Sequence, residues 1–154
     1  MSDAIQIRPM GSDEPRECEL VLRSLPEWFG IESALVNYVE DCSKWPTHVA
    51  VSGGRIRGFI TIHRHFEAAA EIHCIAVEAG RHRRGLGRAL VQHSEDELRS
   101  QGVRFLQVKT LGPSRPCEHY ELTHRFYEGM GFAPLEEFLT LWPGNPALLM
   151  IKRL

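Results

Sequence analysis

Residues 75–90, Ile75-Ala76-Val77-Glu78-Ala79-Gly80-Arg81-His82-Arg83-Arg84-Gly85-Leu86-Gly87-Arg88-Ala89-Leu90, run from a strand pattern through a basic, glycine-bearing loop into the start of an amphipathic helix. Such a junction can bind an anion. The first N–H groups of a helix have no partner within it, and the aligned peptide dipoles add about half a positive charge there. Gly85 and Gly87 let the backbone approach closely, while Arg81, Arg83, Arg84 and Arg88 add charge. Together these suit a pyrophosphate, although the same residues would also make a solvated turn into a helix. Two nucleotide patterns are excluded. The chain has no GxxxxGK[ST] of a P-loop, and no GxGxxG followed by an acidic residue about 20 positions on.

A second constellation occupies Thr123-His124-Arg125-Phe126-Tyr127-Glu128-Gly129-Met130-Gly131-Phe132. Leu122, Phe126 and Met130 are spaced by four and read as the apolar stripe of a short helix. Tyr127 is rotated about 100° from Phe126 and shares a face with Thr123 and Tyr120, which puts three hydroxyls together. A lone Tyr on a helix is ordinarily a packing residue, but a phenol stays protonated at neutral pH and can donate a proton. A third set lies on the strand pattern before the basic loop, where a period of two puts Glu71, His73, Ile75 and Val77 on one face.

The two motifs, in this order and after these elements, resemble the signatures of the GNAT superfamily of acetyl-CoA-dependent N-acetyltransferases. The first is similar to Gln/Arg-x-x-Gly-x-Gly/Ala at a strand-to-helix junction. It is matched at Gly85 and Gly87, with His82 standing where Gln or Arg is usual. The second is similar to an aromatic–Tyr pair before x-x-x-Gly-Phe, matched at Phe126-Tyr127 and Gly131-Phe132. The resemblance implies acetyl-CoA as cosubstrate and an amine as acceptor. It implies that backbone amides of His82, Arg83, Arg84, Gly85, Leu86, Gly87 and Arg88 hold the pyrophosphate. The edge of Ile75, Ala76 and Val77 would pair with pantetheine as an added strand, with an amide near Val77 polarising the thioester carbonyl. It further implies Tyr127 as the proton donor to the CoA sulfur, and Glu71 or His73 as the general base.

The chemistry explains why acid and base are wanted. A lysine-like amine with a pKa of about 10.4 costs about 4.6 kcal/mol to deprotonate at pH 7, an α-amino group near 8 only about 1 kcal/mol. The leaving thiolate, of intrinsic pKa about 8.5, benefits from a proton donor. A transferase using another acyl-CoA and a non-catalytic CoA-binding sensor on the same fold are the rival readings. A purely structural protein would leave the glycine loop and Tyr127 without a role.

The elements that must position these residues can be read from periodicity and breakers. Ile5 and Ile7 alternate with polar residues up to Pro9 as a first strand. Ser12 or Asp13 is expected to cap a helix carrying Cys18, Leu22 and Leu25, stopped by Pro26. A second helix is expected from Glu32 to Cys42. His48–Ser52 and Arg55–His63 flank Gly53-Gly54 as a hairpin, and Ala70–Val77 follows as a strand. Leu86, Leu90, Ser94 and Leu98 mark a helix ended by Gly102. Phe105–Leu111 is a strand, the Tyr127 helix follows, and strands near Phe132–Phe138 and Ala147–Arg153 finish the chain. The order β α α β β β α β α β β makes an α/β (α+β) chain. In the GNAT acyltransferase fold it would be a mixed, mostly antiparallel central sheet of about seven strands flanked by four helices.

The totals agree with one N-acetyltransferase domain over residues 1–154. A chain of 154 residues with 43% hydrophobic and 25% charged residues can bury one core without disulfides. A net charge of −2 gives no footprint for a nucleic acid. No apolar run reaches about 18 residues and the N-terminus lacks a signal pattern, so no membrane partner is expected. Cys18, Cys42, Cys74 and Cys117 form no CxxC pair, as expected of reduced thiols in a cytoplasmic enzyme. His63 and His65 share a strand face near His73, but no cysteine or carboxylate completes a ligand spacing, so no metal is expected. Trp28, Phe29, Tyr38 and Trp45 cluster as core or as the wall of an acceptor pocket. Leu141-Trp142-Pro143 could serve a homodimer contact.

Overall fold

The structure, a computed structural model, describes residues 4–81 and 85–154. The elements are β1 (Gln6–Pro9), α1 (Pro15–Arg23), α2 (Glu32–Lys44), β2 (Thr47–Ser52), β3 (Arg55–Phe66), β4 (Ala69–Val77), α3 (Leu86–Ser100), β5 (Phe105–Leu111), α4 (Glu118–Gly129), β6 (Ala133–Trp142) and β7 (Asn145–Arg153). This is the order expected from the sequence. Seven strands form a mixed, mostly antiparallel sheet in the order β1-β2-β3-β4-β5-β7-β6. The residues group into two compact units, 1–63 with 73–97, and 64–72 with 98–154.

In the first unit, the β2–β3 hairpin closes through Gly53 and Gly54 at φ 62° and 74°, and Ser52 pairs with Arg55. Only glycine takes this pair of left-handed conformations without strain. Cys18, Val21 and Leu22 of α1 and Leu35 and Cys42 of α2 pack in one core with Val49, Ile56, Phe59, Cys74 and Ala76. Along β4, Ile72, Cys74 and Ala76 are buried while His73, Ile75 and Val77 are half-buried, as the period of two requires, and Glu71 is buried as well on the second face. The α1 cap differs from expectation. Pro15 fills the first helical position, where its fixed φ favours helix entry, so Glu14 rather than Ser12 or Asp13 is the cap residue. The Glu14 carboxylate instead receives the Gly11 N–H at 2.6 Å and a two-pronged Arg8 contact at 2.7 and 2.8 Å.

In the second unit, β4 runs parallel to β5 from Ala69↔Phe105 to Ile72↔Val108, and β5 pairs antiparallel with β7 along its whole length. The edge-ward strand β6 continues to Trp142 and leaves Leu135, Leu139 and Leu141 exposed. The expected stripe of α4 is corrected: Leu122 is 44% exposed and Phe126 half-buried, whereas Tyr127 is 4% exposed. The buried face is centred on Tyr127 and Met130, about one residue's rotation from the predicted line. All four cysteines are unpaired thiols.

Candidate functional site

The junction read from the sequence as an anion site begins where β4 ends. Glu78 N–H bonds the Arg57 carbonyl at 2.7 Å, and Arg57 returns an ion pair to the Glu78 carboxylate at 3.1 Å. Ser24, at the C-terminus of α1, accepts the Ala79 N–H through its hydroxyl at 3.1 Å. Gly80 then turns the chain at φ 83°. Beyond the loop, Gly85 has φ 81°, and its carbonyl accepts the Ala89 N–H at 2.9 Å, the first bond of α3 among the described residues. The amides of Leu86, Gly87 and Arg88 therefore form the open first turn of the helix. Leu86 is buried and anchors that turn, Gly87 is half-buried, and Gly85 and Arg88 are exposed. His82, Arg83 and Arg84 lie outside the described residues.

Ile75, Ala76 and Val77 occupy the last part of β4. The parallel ladder to β5 closes at Ile72↔Val108, so among the described residues β4 runs five residues past its last β5 rung. Gly58 of β3 sits directly against this stretch: a Cβ there would stand 2.9 Å from the Ala76 carbonyl oxygen.

The two base candidates on β4 have different surroundings. Glu71 is 7% exposed. Its Oε1 lies 2.7 Å from His65 Nε2, accepts Gln107 at 3.0 Å and faces Lys109 Nζ at 3.2 Å. Burial alone would push the Glu71 carboxyl up. The hydrogen bonds from His65 and Gln107 and the charge of Lys109 outweigh it and hold the group below its ordinary value. Glu71 is thus a committed carboxylate, stabilised in its charged form.

His73 Nε2 lies 2.7 Å from Asp41 Oδ2, a contact that joins β4 to α2. The ring meets Tyr38 edge-on at 5.3 Å and Trp45 at 4.7 Å, and Trp45 stacks on His63 at 4.0 Å with 11° between planes. Phe29 completes the group against Tyr38 at 5.7 Å. A carboxylate that fixes one imidazole nitrogen leaves the other as the working one. Of the expected aromatic cluster, Tyr38 and Trp45 meet His73 and Phe29 meets Tyr38, while Trp28, with Phe29 and Tyr38, packs against the core; Asp41 is the member that sequence reading missed. Its only signal was its place one residue before Cys42 on the helix, which alone names no partner.

Tyr127 is held by the end of its own helix. Phe132 N–H bonds the Tyr127 carbonyl at 3.0 Å and Gly131 N–H bonds the Glu128 carbonyl at 3.0 Å, with Gly131 at φ 98°. This is a Schellman closure, and its accompanying apolar contact is Phe132 on Tyr127, ring centres 5.5 Å apart. The Gly-Phe of the motif thus clamps the tyrosine from below. The three expected hydroxyls do not share one exposure: Thr123 donates to the His119 carbonyl at 3.3 Å, while Tyr127 is buried.

Comparison with known proteins places this geometry. A profile of the Acetyltransferase (GNAT) family matches residues 14–132. No curated relative matches the sequence. Among solved structures, a GNAT-family protein from Desulfovibrio desulfuricans is similar with a TM-score of 0.85 at 20% identity, over 97% of this chain and 99% of that one. The ribosomal-protein-S18-alanine N-acetyltransferase from Escherichia coli gives 0.78 at 18% identity, over 97% and 94%. An aminoglycoside 6'-N-acetyltransferase complexed with coenzyme A gives 0.75 at 20% identity, over 96% of each chain.

Proposed function

Because the chain belongs to the GNAT acetyltransferase family, we propose that it is an N-acetyltransferase that moves the acetyl group of acetyl-CoA to a primary amine of a small molecule or peptide. Its 154 residues act as one catalytic domain. The observation that carries this reading is the run of chain in which β4 outlasts its β5 ladder at Ile72 and leads, through Gly80 and Gly85, into the open first turn of α3. An extended amide-bearing arm suits the first part and a pyrophosphate the second. The structure of a CoA-bound relative with the same fold supports the same cosubstrate.

The residues then divide the work. His73, oriented by Asp41, takes the proton from the acceptor ammonium or amine. The amine nitrogen forms its bond to the thioester carbonyl carbon, the C–S bond breaks, and Tyr127 gives its proton to the departing sulfur. Glu71 is the weaker base of the two, since His65, Gln107 and Lys109 already engage its charge. Phe29, Tyr38 and Trp45 wall the acceptor side beside His73. Unpaired thiols at all four cysteines suit a reducing, cytoplasmic setting.

The test is a calorimetric titration with acetyl-CoA, run beside Gly85→Glu, with free thiol release followed in mixed amines. Binding that the variant abolishes, with amine-dependent thiol release, supports the transferase. Binding without release under any amine leaves a CoA-binding module in place of an enzyme, and no binding overturns the assignment of cosubstrate.

A further inference from the structure

An imidazole–carboxylate group separate from the residues above joins β2 to α3. His48, on β2, is 8% exposed. His93 and Glu97 stand four residues apart on α3 and so share one helical face. His48 Nε2 lies 3.3 Å from Glu97 Oε2, and His93 Nε2 lies 3.7 Å from the same oxygen. The two rings are 4.8 Å apart, and one donor atom from each residue falls within 4.8 Å of the other two. The contrast with the other pairs is informative. His65–Glu71 and His73–Asp41 both close to 2.7 Å, the length of a charge-assisted hydrogen bond. The wider group leaves room for an ion: donors about 2.0–2.2 Å from a tetrahedral metal stand roughly 3.3–3.6 Å from one another, and the two imidazoles stand 3.3 and 3.7 Å from the Glu97 oxygen.

We propose that His48, His93 and Glu97 form a three-ligand site for a divalent transition metal ion of the zinc class, with the fourth position open to water. Two imidazole nitrogens and one carboxylate oxygen are a donor set that zinc accepts. The group is open to solvent on the helix side, where the His93 and Glu97 side chains are 39% and 42% exposed. The histidines that sequence reading weighed for a metal, His63, His65 and His73, are engaged with Trp45, Glu71 and Asp41 instead. An ion at the new site ties β2 to α3 and steadies the helix whose first turn follows Gly85. This inference stands independently of the acetyl-transfer reading.

The experiment strips the 154-residue protein with a chelator, titrates Zn2+ against a chromophoric competitor, and records the visible spectrum with Co2+. The site predicts one tightly bound equivalent, Co2+ absorption of low-coordinate type, and a melting temperature raised by about 5 °C or more at saturating Zn2+. His93→Gln and Glu97→Gln, both at partly exposed positions, should each weaken binding at least about 100-fold, whereas His73→Gln should bind as wild type. Absence of stoichiometric binding, or wild-type affinity in either His93→Gln or Glu97→Gln, overturns the site.

Discussion

At the scale of single residues, the proposed function assigns the two carboxylate–imidazole pairs around β4 different roles. His73 has a dedicated partner in Asp41 and an aromatic surround, so His73→Gln should lower kcat by about 100-fold or more and remove a limb of the pH–rate profile. Asp41→Asn should act in the same direction but less strongly, because it orients the ring without touching the amine. Glu71→Gln should leave the pH profile in place and instead lower stability by about 1–3 kcal/mol, as Lys109 and His65 lose the negative charge of their common acceptor. An intact pH profile in His73→Gln would return the base to another group. The sequence placed Glu71 and His73 on one face by strand period alone. It could not tell them apart, since the partners that decide between them, Asp41, His65, Gln107 and Lys109, come from α2, β3 and β5. Long-range pairing of this kind leaves no local spacing to read.

At the scale of elements, breakers and periods were legible and helix rotation was not. Gly53-Gly54, Gly102 and Gly131 each mark the turn or helix end that their positive φ angles now show. The start of α1 was misplaced because Pro15 outranks a hydroxyl or carboxylate cap as a starting signal. The face of α4 was misjudged because Leu122 and Phe126 are more apolar than Thr123 and Tyr127, yet tertiary packing buries Tyr127. The closure at Gly131-Phe132 carries a prediction. Phe132→Leu keeps an apolar side chain but removes the ring that abuts Tyr127, and should cost about 1 kcal/mol of stability. Its kcat should fall roughly tenfold through a looser phenol. Unchanged turnover with lowered stability would confine Phe132 to packing.

At the scale of the molecule, acid sensitivity follows from carboxylates that folding holds in their charged form. Arg8 and the Gly11 amide lower the Glu14 pKa from 4.5 to about 2. Such a depressed group contributes its stability above the unfolded value and loses it as pH falls toward the folded one. The window is therefore pH 4.5 down to about 2. Because solvent screens the Arg8–Glu14 pair, its contribution is about 1 kcal/mol. Glu71, also depressed, titrates in the same sense. Urea unfolding should find Glu14→Gln about 1 kcal/mol less stable than wild type at pH 7, with the gap closing near about pH 2. A gap independent of pH would show that Glu14 acts through shape alone. Periodicity and breakers were enough to anticipate the order of elements along the chain, whereas the sheet order β5-β7-β6 rests on pairings between distant segments that no local pattern records.

The face-to-face stack of Trp45 on His63, 4.0 Å apart and next to His73, gives the chain a light-emitting reporter at the point where an acceptor would arrive. An indole whose face is covered by an imidazole has its surroundings changed when an incoming group displaces that ring. Occupancy beside β4 would thus be visible as a change in tryptophan emission, in the unlabelled protein and before any turnover.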